Sequence, residues 1–80
     1  MTGEEIKSEV TQIFRDVLDN DNIILYRETT AADIEEWDSL SHINLIVAIE
    51  KEFKIKFDLL DLKPLQNVGE LFDLIQQKIS

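Results

Sequence analysis

Apolar residues recur at helical spacing along most of this chain, and that periodicity constrains its fold more than any other feature. Near the N-terminus Ile6, Val10, Ile13, Phe14, Val17 and Leu18 stand three or four residues apart, which gathers them on one side of a helix. Thr2 with Glu5 three positions later is a capping-box pattern, so a first helix is expected from Gly3 to Leu18. It stops at Asp19-Asn20-Asp21-Asn22, residues whose side chains hydrogen-bond local backbone and favour turns. The one alternating stretch, Lys54-Ile55-Lys56-Phe57, has the period of a strand, but a lone strand has nothing to pair with, and it reads as a connector.

A second helical run is expected from Ser39 to Phe53. Asp58 can cap a short third helix over Leu59 to Leu62, which Pro64 prevents from continuing smoothly. Asn67 with Glu70 opens a fourth, with Val68, Leu71, Phe72, Leu74, Ile75 and Ile79 at helical spacing and Lys78 near its negative end. The expected class is all-α: a four-helix bundle with a long loop between helices one and two and a short third helix. That loop, from Asp19 to Asp38, contains Ile23, Ile24, Leu25, Tyr26, Ile34 and Trp37, which are expected to tack it onto the bundle. A helical turn fits at Ala31 to Ile34, and loops of this length tend to be functional.

Composition narrows what such a bundle does. Eighty residues suffice for one domain over 1–80 with a thin core, since a chain this short buries only about 60% of its unfolded surface. There is no cysteine, which excludes disulfides, thiolate metal sites and a cysteine nucleophile, so any thiol must arrive on a cofactor. One histidine and no cysteine leave no nucleophile, base and orienting group to assemble, so an enzyme is not expected. The Asp19–Asn22 run resembles the start of a calcium loop but fails as one. Ile24 stands where glycine is needed and Thr30 where a bidentate glutamate is needed, so no metal site is expected.

The net charge of -9 would repel nucleic acid and anionic lipid headgroups and suits basic protein partners, although charge on a small domain also serves solubility alone. No basic leader precedes an apolar core, and no apolar run approaches the roughly 20 residues that span a bilayer. No membrane insertion and a cytoplasmic location are expected.

Helix two carries more apolar surface than one buried face requires. Ile46, Ile49 and Phe53, with Leu45 or Ile43 beside them, suffice; Leu40, Ile43 and Val47 are then surplus, and surplus apolar surface calls for a partner or a ligand. Ser39 is the first residue of this helix, at the end of the long loop. Unpaired backbone N–H groups and the positive end of the helix dipole face that position, so an anionic phosphodiester on its oxygen would be stabilised. Ser39 and Asp38 also suit a plain helix cap.

The segment DSLSHINLIVAIEKEF, from Asp38 to Phe53, resembles the attachment segment of acyl carrier proteins, in which an Asp-Ser-Leu triplet opens an acidic, apolar-faced second helix. The resemblance extends over essentially all 80 residues. It implies that Ser39 accepts 4'-phosphopantetheine from coenzyme A through a separate phosphopantetheinyl transferase, and that acyl intermediates of fatty-acid, polyketide or related biosynthesis ride on the arm as thioesters. It implies that Asp38 helps hold magnesium and the transferase during loading. Leu40, Ile43 and Val47 match apolar positions presented to acyl-loading and acyl-transferring enzymes, and Glu50 and Glu52 match acids that meet Arg and Lys on those partners. A monomer is expected.

Some residues depart from the commonest pattern. Bacterial fatty-acid carriers usually show Gly and Ala before the triplet and an acid a few residues after it, where this chain has Glu36-Trp37 and Asn44, together with Lys51, Lys54 and Lys56. Trp-Asp-Ser-Leu followed by His42 looks more like stand-alone carriers of secondary metabolism, cell-surface or specialised lipid pathways than the housekeeping carrier. His42 lies beside Ser39, where it can touch a phosphate or be a bystander. The competing reading is a helical interaction module that binds a protein through the apolar face of helix two and is never modified.

Overall fold

The computed structural model describes residues 2–79. They form four helices, α1 (Gly3–Leu18), α2 (Ser39–Phe53), α3 (Leu59–Leu62) and α4 (Val68–Ile79), with a single 3₁₀ turn at Ala31–Asp33. The chain is all-α as expected, and no strand forms among the described residues. At the start of α1 the Thr2 hydroxyl accepts the Glu5 N–H while the Glu5 carboxylate accepts the Thr2 N–H, completing the capping box. α1 and α2 both end on a residue in the left-handed conformation, Asp19 (φ 54) and Lys54 (φ 56), whose N–H groups return to Arg15 O and Glu50 O. A left-handed cap satisfies carbonyls that the last helical turn leaves unpaired.

The core lies where α1, α2 and α4 meet. Ile6, Val10 and Phe14 of α1, Leu45 and Ile49 of α2, and Val68 and Ile75 of α4 are almost wholly excluded from solvent. Burying a side chain of this size stabilises the fold by roughly 1.5–3 kcal/mol against leaving it in water, which is how a thin core holds.

The long loop is anchored in two ways. Its apolar residues divide: Ile23 and Leu25 are buried and Ile34 and Trp37 pack against the core, whereas Ile24 and Tyr26 are exposed. The expectation that all six tack the loop down therefore holds for four. Alternation is the reason, since neighbouring side chains of an extended segment point to opposite sides. The second anchor is polar. Two amides at the start of α4, which have no partner inside their own helix, donate to loop carbonyls: Val68 N–H to Thr29 O at 2.8 Å and Gly69 N–H to Arg27 O at 2.9 Å. Glycine is needed here because a Cβ on residue 69 would stand 2.9 Å from the Arg27 carbonyl oxygen.

The connector after α2 is held by one side chain. The Glu50 carboxylate accepts the Phe57 N–H at 2.8 Å, and the Glu50 carbonyl accepts the Ile55 N–H at 3.1 Å. Ile55 and Phe57 then pack against the core from a segment without a strand partner. Lys78 of α4 reaches Asp61 of α3 at 3.0 Å, fixing the short helix beside the long one.

Candidate functional site

Asp38 caps α2. Its Oδ1 accepts the Ser41 N–H at 2.9 Å, and the Ser41 hydroxyl oxygen accepts the Asp38 N–H at 2.8 Å. The Ser41 N–H, and then the Ser41 side chain, hold the Asp38 carboxyl below the usual carboxylate range, so it is ionised at neutral pH. The Ser41 hydroxyl in turn donates toward the carbonyls of Glu36 and Asp38, at 3.0 and 3.2 Å. Ser41 is thus committed to the cap. Ser39, at the first helical position, is exposed and makes no side-chain hydrogen bond among the described residues. Two serines two residues apart have opposite fates, and only one hydroxyl is free.

Ser39 borders a cavity of about 450 Å³ between the start of α2 and the link from α3 to α4. Asp38, Gln66 and Asn67 give it polar edges; Trp37, Leu62, Leu65 and Leu71 give it apolar ones. A second groove, of about 500 Å³, runs between α2 and α3 and is lined by Ile43, Ile46, Val47, Leu59 and Lys63. His42 and Leu62 border both. A phosphopantetheine arm joins an anionic phosphodiester to amides and apolar methyls, and this mixture of surfaces beside an open serine and a helix N-terminus fits it. The helix dipole favours the phosphate end, and the arm would supply the thiol that this chain lacks.

The surplus residues of α2 are on the surface: Leu40 is 72% exposed, Ile43 61% and Val47 42%. Leu59 and Leu60 of α3 are exposed as well, and Leu59 shares the second groove with Ile43 and Val47. These two leucines were not singled out from sequence. The available signal was a four-residue helix with three leucines, too short to bury them all. The acids of α2 are less free than the sequence suggests. Glu50 uses one oxygen on the Phe57 amide. Glu52 faces Glu9 of α1 closely enough that a hydrogen bond to Glu52, and then its charge, raise the Glu9 carboxyl above its ordinary value.

An acyl carrier protein from Thermotoga maritima is 33% identical over 76 residues, spanning 95% of this chain and 94% of that relative. The family model described as the phosphopantetheine attachment site matches residues 8–75. The chain belongs to the acyl carrier protein family. Members of this family carry a 4'-phosphopantetheine prosthetic group and are carriers, not enzymes; they meet a phosphopantetheinyl transferase and acyl-handling enzymes. The fold agrees with that of a solved relative. The solution NMR structure of a holo acyl carrier protein from Geobacter metallireducens has a TM-score of 0.87 and 55% identity, covering 91% of this chain and 84% of that one.

Proposed function

We propose that Ser39 is the attachment residue of this acyl carrier and that acyl groups travel as thioesters on the arm it bears. The observation that carries the assignment is the contrast within the cap: the Ser39 hydroxyl is open beside a cavity, while Ser41 is bound on both sides. Ser39 is modified rather than catalytic. Asp38, kept ionised by Ser41, supplies the anion that holds magnesium and the transferase during loading.

Leu40, Ile43 and Val47 form the docking patch, with Glu50 at its edge and its second carboxylate oxygen left for a basic partner group. Exposed apolar side chains next to the attachment residue support this reading. The departures at Trp37, Asn44 and His42 support a specialised rather than housekeeping carrier. Residues 1–80 act as one carrier domain, as a monomer and in the cytoplasm; the net charge of -9, which disfavours anionic membranes and self-association, supports the monomer.

Incubation with coenzyme A and a broad-specificity phosphopantetheinyl transferase tests the assignment by intact mass. One phosphopantetheine should be added, and Ser39→Ala should abolish the addition while leaving the helical circular dichroism unchanged. Addition at Ser8 or Ser41 would sink the assignment, and no addition at all would favour the unmodified interaction module. A thiol reagent should label the loaded form once and the unloaded form not at all, because the chain has no cysteine.

A further inference from the structure

Beside Ser39, two rings are coupled in a way that the attachment itself does not require. Trp37 Nε1 lies 3.2 Å from His42 Nδ1. An indole N–H only donates, so Nδ1 accepts and carries no proton, and the neutral imidazole keeps its hydrogen on Nε2. The rings stack at 20° with centroids 6.0 Å apart. Trp37 packs almost perpendicular to the ring of Phe14, at 87° with centroids 5.0 Å apart, and Phe14 is fully buried in the core. The orientation of the imidazole is thus set by the core through Trp37.

We propose that His42 binds the phosphodiester attached at Ser39, donating its Nε2–H, and that Trp37 is the positioning residue that fixes its tautomer and its plane. This rests on attachment at Ser39. His42 is three residues beyond Ser39, on the same face of α2, and helical side chains lean toward the N-terminus, so the ring lies over the turn that bears Ser39. Both residues border the same cavity. The Nε2–H has no partner among the described residues, whereas its sister nitrogen is taken. A phosphodiester is an anion, and an N–H donated to an anion makes a shorter and stronger hydrogen bond than one to a neutral acceptor. Asp38 is the only side-chain carboxylate among the described residues that line that cavity, and its Oδ1 is taken by the Ser41 amide. No lysine or arginine is among the described residues that line that cavity; Lys63 lines the adjoining groove instead.

The test uses the full chain in apo and loaded forms at mildly alkaline pH, with loading confirmed by intact mass. In the wild type, loading should move the His42 Nε2 ¹⁵N resonance and leave Nδ1 nearly unchanged. His42→Ala should displace the ³¹P resonance of the loaded arm, while Lys63→Gln should leave it in place. Trp37→Phe keeps an aromatic ring against Phe14 but removes the donor. The two imidazole ¹⁵N shifts should then converge as the tautomers mix, and the ³¹P displacement should follow that of His42→Ala in part. An Nε2 resonance indifferent to loading, or a ³¹P resonance that answers to Lys63 and not to His42, would overturn the proposal. If His42→Ala fails to fold, the apo and loaded wild-type ¹⁵N spectra still decide. Absence of loading at Ser39 would remove both this inference and the reading it rests on, and the mass spectrum identifies that case.

Discussion

α1 and α2 pack against each other and distribute their apolar residues by different rules. In α1 the buried Ile6, Val10, Phe14 and Leu18 form one stripe, and charged residues such as Glu4, Lys7 and Asp16 are exposed outside it. In α2, Leu45, Ile46, Ile49 and Phe53 face the core while Leu40, Ile43 and Val47 face water. α1 is a helix with one task, to close the core. α2 has two apolar faces, and the second one has no use inside the monomer. Apolar character therefore identifies core in α1 but not in α2, where only the excess over a single face shows that something outside the fold is involved.

The sharpest way to break this comparison is to truncate one residue from each face of α2. Ile49→Ala should destabilise the protein by roughly 2–5 kcal/mol in chemical denaturation, whereas Ile43→Ala should cost less than about 1 kcal/mol. Similar losses at the two sites would erase the distinction between the faces.

Function should answer in the opposite sense. Val47→Asp and Ile43→Asp are expected to slow acyl transfer by the cognate enzymes about tenfold or more, the effect of losing about 1.4 kcal/mol or more at a docked interface. Their melting temperatures should stay close to that of the parent. Collapse of the fold in both variants would return these residues to the core. Ile43 also lines the groove between α2 and α3, so it is the position where a modest stability loss accompanies the functional one.

Charge gives a smaller effect. With a net charge of -9, moderate salt should raise the melting temperature by screening self-repulsion, and a flat or falling dependence would contradict this. Part of that repulsion sits where the two helices meet, at Glu9 and Glu52. A carboxyl whose pKa is raised on folding binds its proton more readily in the native state. Its repulsion is therefore fully present at neutral pH and is relieved as pH falls through the raised value toward the ordinary one. Glu5, Asp38 and Asp61 are lowered by their hydrogen bonds, so the stability they contribute is present above their ordinary values and is lost at more acidic pH. Stability should pass through a maximum in mild acid. Glu9→Gln should raise the melting temperature at neutral pH by less than salt does, and should flatten the rise on the neutral side of that maximum.

The helices were legible because their signals are local. Thr2 with Glu5, Asp38 with its serines, Asn67 with Glu70 and the turn residues after Leu18 all act within four positions, and the limits they imply are those of the structure. The place of Ser39 was legible for the same reason, since an exposed serine at the first position of α2 follows from the cap before it; the attachment role proposed for it comes from the family resemblance and not from that position. The rest depends on pairs far apart in the chain. Nothing around Glu50 signals that its carboxylate holds the Phe57 amide, nothing near Glu9 points to Glu52, and Gly69 reads as an indifferent glycine until Arg27 lies against it. His42 was visible as a neighbour of Ser39, but its tautomer is set by Trp37, whose ring is placed by Phe14 from another helix.

The two carbonyls that the loop lends to α4 make a clock for motion at the opposite end of the sequence. Exchange of an amide hydrogen with solvent requires its hydrogen bond to open, and the bonds of Val68 and Gly69 open when the loop at residues 27 and 29 and the start of α4 separate. In deuterated buffer these two protons should therefore report undocking of the segment that leads to Ser39, without any label placed on that segment. A partner enzyme that pries the loop loose to reach the arm would quicken their exchange, and one that grips α2 alone would leave it unaltered.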